Sequence, residues 1–125
     1  MHENQIASEV VDACYHIHSK LGPGLLESAY EVVLKHELEK RGFSVECQTC
    51  LPVIYDGITL DAGFRTDLIV NDKLIIELKS VEKVAPVHKK QLLTYLRLSN
   101  KKLGLLVNFG TNLIKDGIFR VVNDL

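Results

Sequence analysis

The sequence FRTDLIVNDKLIIELKS, residues 64–80, constrains the fold of this chain more than any other segment. Two apolar runs flank a short polar stretch, a pattern that predicts a β-hairpin with buried strands. Asp67, Glu77 and Lys79 interrupt these runs with charge. Burying a carboxylate or an ammonium among isoleucines is costly unless the charge is paired or binds a metal. We therefore expect these side chains to form a site, and two carboxylates with a lysine indicate divalent-metal chemistry.

The spacing of the three charges sets a condition on the hairpin. Side chains alternate along a strand, so Glu77 and Lys79 share a face, and Asp67 joins them only if it pairs with Glu77. A three-residue loop with Val70 opposite Leu74 gives this register. It puts one set of residues on the first face (Phe64, Leu68, Val70, Leu74, Ile76, Leu78) and the rest on the second (Arg65, Asp67, Ile69, Ile75, Glu77, Lys79). The alternative two-residue turn would send Asp67 to the other face, and the clean separation of faces favours the longer loop.

Length and composition predict one domain spanning residues 1–125, large enough to bury a core without disulfides. Hydrophobic residues make up 46% and charged residues 25% of the chain, as in ordinary soluble proteins. No apolar run approaches the roughly 20 residues of a membrane span, and residues 1–10 lack the layout of a signal peptide. We therefore expect a cytoplasmic protein with no membrane partner, in which Cys14, Cys47 and Cys50 are free thiols.

The charges are unevenly distributed although the net charge is only -1. Residues 1–78 contain 6 Lys/Arg against 13 Asp/Glu, whereas residues 79–102 contain 7 against Glu82 alone. This basic segment begins at the candidate site, and its lysines, Lys89 and Lys90 among them, are candidates for contact with a phosphate backbone. The alternative is a solvated helix face, and charge alone does not decide between the two.

Periodicity and breaker residues predict an α/β fold. Helices are expected at about 4–20, 25–41 and 86–99, and strands at about 43–55, 58–70, 73–80, 103–109 and 118–122, with Asp56-Gly57 as a hairpin turn. The order predicts a mixed β-sheet flanked by helices, in which a three-stranded meander is followed by a crossover helix and a parallel strand.

Three motifs in this order resemble a known group of enzymes. An aspartate on one strand followed by Glu77-Leu78-Lys79 on the next resembles the PD-(D/E)XK nuclease superfamily. The segment from Gly24 to Tyr30, GLLESAY, is similar to the signature of the GxxExxY family, a branch of that superfamily. The segment from Gln91 to Tyr95, QLLTY, is similar to the Gln-x-x-x-Tyr motif of RecB-like nucleases. The resemblance implies a restriction-endonuclease-like core.

The resemblance also implies roles for individual residues. Lys79 would orient or activate the attacking water and stabilise negative charge in the transition state. Gln91 and Tyr95, four residues apart on a helix, would face the site and bind substrate. Tyr30, by contrast, is expected to be a core residue with a hydrogen-bonded hydroxyl. The implied ligands of Mg²⁺ or Mn²⁺ are Glu27, Asp67, Glu77 and the backbone carbonyl of Leu78.

These features together predict a metal-dependent nuclease that hydrolyses phosphodiester bonds, with DNA preferred over RNA through the resemblance alone. The chain offers little surface for holding a duplex, so we expect a homodimer or a partner protein. Two alternatives stay open. One is a non-catalytic module with a nuclease fold that binds nucleic acid or protein, and the other is a metal-dependent enzyme acting on a different phosphate ester.

Overall fold

The computed structural model describes residues 1–60 and 64–125 in full, and its helices and strands follow the predicted order. The helices are α1 (Glu3–Leu21), α2 (Glu27–Lys40) and α3 (Pro86–Ser99), the strands are β1 (Val45–Tyr55), β2 (Ile58–Val70), β3 (Leu74–Lys79), β4 (Leu103–Asn108) and β5 (Ile118–Val122), and a 3-10 turn spans Ile114–Gly117. None of the helices in this described part is long and apolar enough to cross a membrane.

The five strands form one sheet in the order β1-β2-β3-β4-β5. Neighbouring strands are antiparallel except β3 and β4, which run parallel because α3 connects them. The predicted meander, crossover helix and parallel strand are thereby confirmed. The central strand β3 lies between β2 and β4, but its regular pairing with β2 covers only Leu74–Ile76, so Glu77 and Lys79 are ladder-paired with β4 alone.

The hairpin between β2 and β3 has the register that the charge pattern favours, with Val70 opposite Leu74. Asn71 and Asp72 have φ values of 50° and 57°, and the N–H of Lys73 donates to the carbonyl of Val70 at 3.0 Å. These are the features of a two-residue type I′ turn. Lys73 is one further residue before the paired strand resumes, and it is this extra residue that brings Asp67 to the level of Glu77.

Helices cover both faces of the sheet. On one face, α1 and α2 pack on a large core to which β3 contributes Leu74, Ile76 and Leu78. On the other face, Leu92 and Leu96 of α3 pack in a smaller core with side chains of β2, β3 and β4. Burial of both faces explains why the strands around β3 are nearly continuous apolar runs.

One face assignment made from the sequence is wrong. Phe64 stacks on Tyr95 of α3 with ring centroids 4.3 Å apart, so it lies on the α3 side of the sheet. Its ladder partner Leu51 also packs on that side, whereas Cys47 packs against the core of α1 and α2. Between them lies Gln48, whose φ of 50° departs from extended backbone. The side on which residues face therefore changes between Cys47 and Leu51 although the β1–β2 register is the same at both, and counting in twos does not anticipate such a change.

Candidate active site

Asp67 and Glu77 lie side by side where the regular β2–β3 ladder ends, one step beyond the pairing of Leu68 with Ile76. The main-chain N–H of Leu78 donates to Oδ2 of Asp67 at 2.8 Å. The N–H of Asp67 lies 3.4 Å from Oε1 of Glu77. The structure therefore brings together the two carboxylates that the hairpin was expected to pair, and it fixes the first of them through the backbone of β3.

Glu77 occupies an environment that disfavours its charge. Its neighbours on β3, Ile76 and Leu78, are fully buried. Burial, and then repulsion from the Asp67 carboxylate, raise the pKa of Glu77 to about 8, although Lys79 acts in the opposite direction. Glu77 forms no ion pair with any residue in the described ranges. A site of this kind binds a cation favourably because the cation relieves both the burial and the repulsion.

Glu27 reaches the same site from helix α2, where it is the first helical residue. It lines a cavity of about 320 Å³ together with Asp67 and Leu78. A carboxylate in the first turn of a helix is also stabilised by the helix dipole. The remaining residues that line this cavity are Ser28, Glu31 and Gln48.

Tyr30 fixes the loop that leads into Glu27. Its side chain is fully buried, and its hydroxyl donates to the carbonyl of Gly22 and accepts from the N–H of Leu25. The expectation of a core residue with a bonded hydroxyl is confirmed. The hydroxyl of Ser80 donates to the carbonyl of Leu25 at 2.6 Å, so the same loop is tied to the residue that follows β3.

Lys79 is the last residue of β3 and is half-buried. It pairs with Asn108 of β4, a buried residue that fixes the chain beyond Lys79. The Asn108 amide donates to the carbonyl of Val81 at 2.8 Å, and its oxygen accepts from the N–H groups of Val81 and Gly110, each at 3.0 Å. Lys79 therefore leaves the sheet from an anchored position, two residues from Glu77.

Helix α3 presents Tyr95 to the carboxylates. Its ring stacks on Phe64. Burial, and then the charges of Glu77 and Asp67, raise the pKa of Tyr95, so its phenol lies within the field of both carboxylates. Gln91 lies one turn earlier and is exposed to solvent.

Lys89 and Lys90 lie at a different cavity from the carboxylates. They line a space of about 670 Å³ together with Phe119 of β5, and Nζ of Lys89 is 4.0 Å from the centre of that ring. Asn108, the ladder partner of Lys79, lines the same space. The two lysines are therefore neighbours of the candidate site and not part of its acidic cavity.

Two residues at the acidic cavity were missed by the reasoning from sequence. Nε2 of Gln48 donates to Oε1 of Glu31 at 2.5 Å and to Oδ1 of Asp67 at 3.2 Å. Glu31 lies four residues after Glu27 on α2, and this i,i+4 spacing could have predicted that both acids face the same way. Gln48 carries no comparable signal, because its role depends on a local irregularity of β1.

The carboxylates fit a divalent metal through their chemistry. In the ranges that the structure describes, no three His, Cys, Asp or Glu side chains converge closely enough to hold a metal ion. Mg²⁺, however, is commonly held by one or two carboxylates and completes its shell with water. Asp67 and Glu77 supply such a pair, and the unfavourable environment of Glu77 is the kind that a cation improves.

No curated protein and no solved structure gives a significant match to the chain. A family model does: the model described as PD-(D/E)XK nuclease superfamily matches residues 4–121, nearly the whole sequence. Its span includes all candidate site residues, and the mixed sheet between helices agrees with the restriction-endonuclease-like fold. The resemblance seen in the sequence is confirmed at the level of the superfamily, whereas the GxxExxY and RecB-like branches stay predictions. The chain belongs to the PD-(D/E)XK nuclease superfamily.

Proposed function

We propose that this protein is a metal-dependent nuclease that hydrolyses phosphodiester bonds in DNA. The observation that carries the proposal is the pair of adjacent carboxylates, Asp67 and Glu77, with Lys79 two residues further along a buried strand. A structural ion pair explains this arrangement poorly, because Glu77 forms no ion pair with any residue in the described ranges. Membership of a nuclease superfamily supports the same reaction class.

Mg²⁺ or Mn²⁺ is the cofactor of this proposal. Asp67 and Glu77 would hold it, with Glu27 and the carbonyl of Leu78 as further ligands. Such an ion polarises the scissile phosphate and makes hydroxide available near neutral pH. Carboxylate and carbonyl oxygens are the ligand types that both ions prefer.

The remaining roles belong to residues that surround the carboxylates. Lys79 places a compact positive charge where negative charge develops on the phosphate, and it orients the attacking water. Tyr95 and Gln91 bind the substrate from α3, and the raised pKa of Tyr95 keeps its phenol protonated as a hydrogen-bond donor. Lys89 and Lys90 contact the phosphate backbone beyond the scissile bond.

A cleavage assay tests the proposal. Supercoiled plasmid, single-stranded DNA and single-stranded RNA are incubated with the protein in Mg²⁺, Mn²⁺ or EDTA. We expect cleavage of DNA with either metal and none in EDTA. The cleavage rate should fall about 100-fold or more in Asp67→Asn and in Lys79→Met. Lys115→Met, which removes an exposed lysine of the 3-10 turn, is the matched control and should cleave normally. Undiminished cleavage in both site variants would overturn the assignment.

A binding module with a nuclease fold is the second candidate. It is favoured by one observation, that the acids of the described residues do not converge into a complete metal site. If this candidate is correct, the protein binds DNA or a protein partner with the same affinity in EDTA and in Mg²⁺, as measured by gel shift. This candidate also predicts no cleavage of any substrate and unchanged binding in Asp67→Asn.

A further inference from the structure

Gln48 has an unusual backbone conformation for a residue within a β-strand. Its φ is 50°, in the left-handed region that side chains other than Asn, Asp and Gly seldom adopt. The pairing of β1 with β2 is regular on both sides, with Cys47 opposite Leu68 and Thr49 opposite Thr66, but Gln48 and Asp67 are not a regular pair. Strained residues of this kind concentrate at functional sites.

The irregular backbone directs the Gln48 amide between two carboxylates. Nε2 donates to Oε1 of Glu31 and to Oδ1 of Asp67. Only the NH₂ end of a glutamine can bond both groups, because a carboxylate accepts and does not donate. The amide thus holds two like charges at the same cavity without adding a positive charge of its own.

The same contact completes the orientation of Asp67. Oδ2 accepts the N–H of Leu78 and Oδ1 accepts the amide of Gln48, so both oxygens have one fixed donor. Each carboxylate oxygen has a second lone pair, and these remain available to a cation. Donors that orient a ligating carboxylate in this way commonly change metal affinity 10- to 100-fold.

We propose that Gln48 is a positioning residue, which orients Asp67 and keeps Glu31 at the acidic cavity so that the site retains its negative charge for a divalent cation. The inference deepens the proposed function and rests on it. A lysine at this position would bridge the same two carboxylates but would compete with the cation. The choice of a neutral donor therefore distinguishes a binding site from a structural bridge.

Direct measurement of Mn²⁺ affinity tests this role without relying on activity. Calorimetric titration compares the wild type with two variants. Gln48→Met keeps the length of the side chain and removes the hydrogen-bond donor. Gln48→Gly removes the side chain and relieves the strain of the positive φ. We expect both variants to bind Mn²⁺ about tenfold more weakly. We expect Gln48→Lys to bind it more weakly still. The exposed Glu46→Gln on the same strand is the control and should bind as the wild type does.

Urea unfolding of each variant separates positioning from folding. If Gln48 serves only the backbone, Gln48→Gly is at least as stable as the wild type and binds Mn²⁺ equally well, and the inference is then wrong. Unchanged affinity in Gln48→Met overturns it as well. Failure of the proposed metal site has a different signature, because the wild type and Asp67→Asn would then both lack measurable Mn²⁺ binding.

Discussion

Among the residues that the structure describes, Asp67 of the candidate site is fixed by neutral donors and by no cation. Asp67 is fixed by a main-chain N–H and by the Gln48 amide, and its own N–H faces Glu77. Neutral donors orient a carboxylate but leave its charge in place, whereas an arginine or lysine would neutralise it. The resulting excess of negative charge reduces the stability of the folded chain and is a property expected of a site that binds a cation.

Glu77 lowers the stability of the folded chain as the pH rises. Its folded pKa of about 8 lies above the ordinary value of 4.5. Below pH 4.5 the carboxyl is protonated in both states and has no effect. Between 4.5 and 8 the unfolded chain releases the proton and the folded chain keeps it, so the free energy of unfolding falls with rising pH. Glu77→Gln should therefore be more stable than the wild type at pH 9, by on the order of 5 kcal/mol.

Urea unfolding in EDTA across pH 4–9 measures this difference. The stabilities of the two proteins should converge as the pH approaches 4. Glu39→Gln changes an exposed carboxylate of α2 and should follow the wild type throughout. A difference between Glu77→Gln and the wild type that is independent of pH would show that packing, and not charge, causes it.

At the scale of elements, the β2–β3 hairpin assembles the site. Its type I′ turn alone would pair the strands with the other parity, and Lys73 supplies the one residue that corrects it. Without this residue, either Glu77 and Lys79 turn toward the core of α1 and α2, or the pairing with β2 is lost.

Deletion of Lys73 should therefore abolish the cooperatively folded state or, at the least, Mn²⁺ binding. Burying Glu77 and Lys79 in an apolar core costs several kcal/mol, comparable with the whole stability of a domain. Circular dichroism, urea unfolding and calorimetry measure the outcome. Insertion of one glycine beside Gly57, at the distal turn of the β1–β2 hairpin, is the control. It should change stability and Mn²⁺ affinity only slightly. A Lys73 deletion that folds and binds Mn²⁺ normally would contradict the importance of parity.

A second element is the loop after β3. A Cβ at Gly110 would overlap the main-chain oxygen and nitrogen of Val81, which the Asn108 side chain also holds. The atoms nearest a Cβ at Gly104 would belong to the side chain of Leu92, the closest at 2.9 Å. We expect Gly110→Ala to lower the free energy of unfolding by about 3 kcal/mol or more, and Gly104→Ala to lower it by about 1–2 kcal/mol. If urea unfolding shows the same loss of stability in both variants, the distinction between a rigid backbone contact and an adaptable side-chain contact is wrong.

The elements were predictable from sequence because their signals are local. Pro86 begins α3 as expected, and the extended runs that flank Asp56-Gly57 form the β1–β2 hairpin. The pairing of Asp67 with Glu77 could be predicted because only one register puts all the charged residues of the hairpin on the same face. The side change near Gln48 and the contact of this residue with Glu31 did not follow, because a left-handed residue inside a strand has no local sequence signal. Convergence of residues from α2, β1 and β2 is a tertiary property.

Across the whole molecule, the acidic cavity and the lysine cavity are lined by different residues. Glu27 and Asp67 line the first cavity, and Lys89 and Lys90 line the second. Leu78 lines the acidic cavity, and its neighbour Lys79 pairs with Asn108, which lines the lysine cavity. The proposed metal ligands and the proposed phosphate-binding lysines thus belong to separate cavities, although Glu82 and Asp116 also line the second.

The proposed phosphate contacts of Lys89 and Lys90 predict the salt dependence of DNA binding. Each lysine that neutralises a phosphate releases counterions, and it contributes about 0.9 to the slope of log affinity against log salt on duplex DNA. The Lys89→Gln, Lys90→Gln double variant should therefore bind a short duplex more weakly at low salt, with a slope smaller by about 1–2. Fluorescence anisotropy in EDTA measures this without cleavage. Lys20→Gln, an exposed lysine of α1, is the matched control and should leave the slope unchanged. If the double variant keeps the wild-type slope, the lysine cavity does not face the DNA, and Lys89 is better explained by its contact with Phe119 alone.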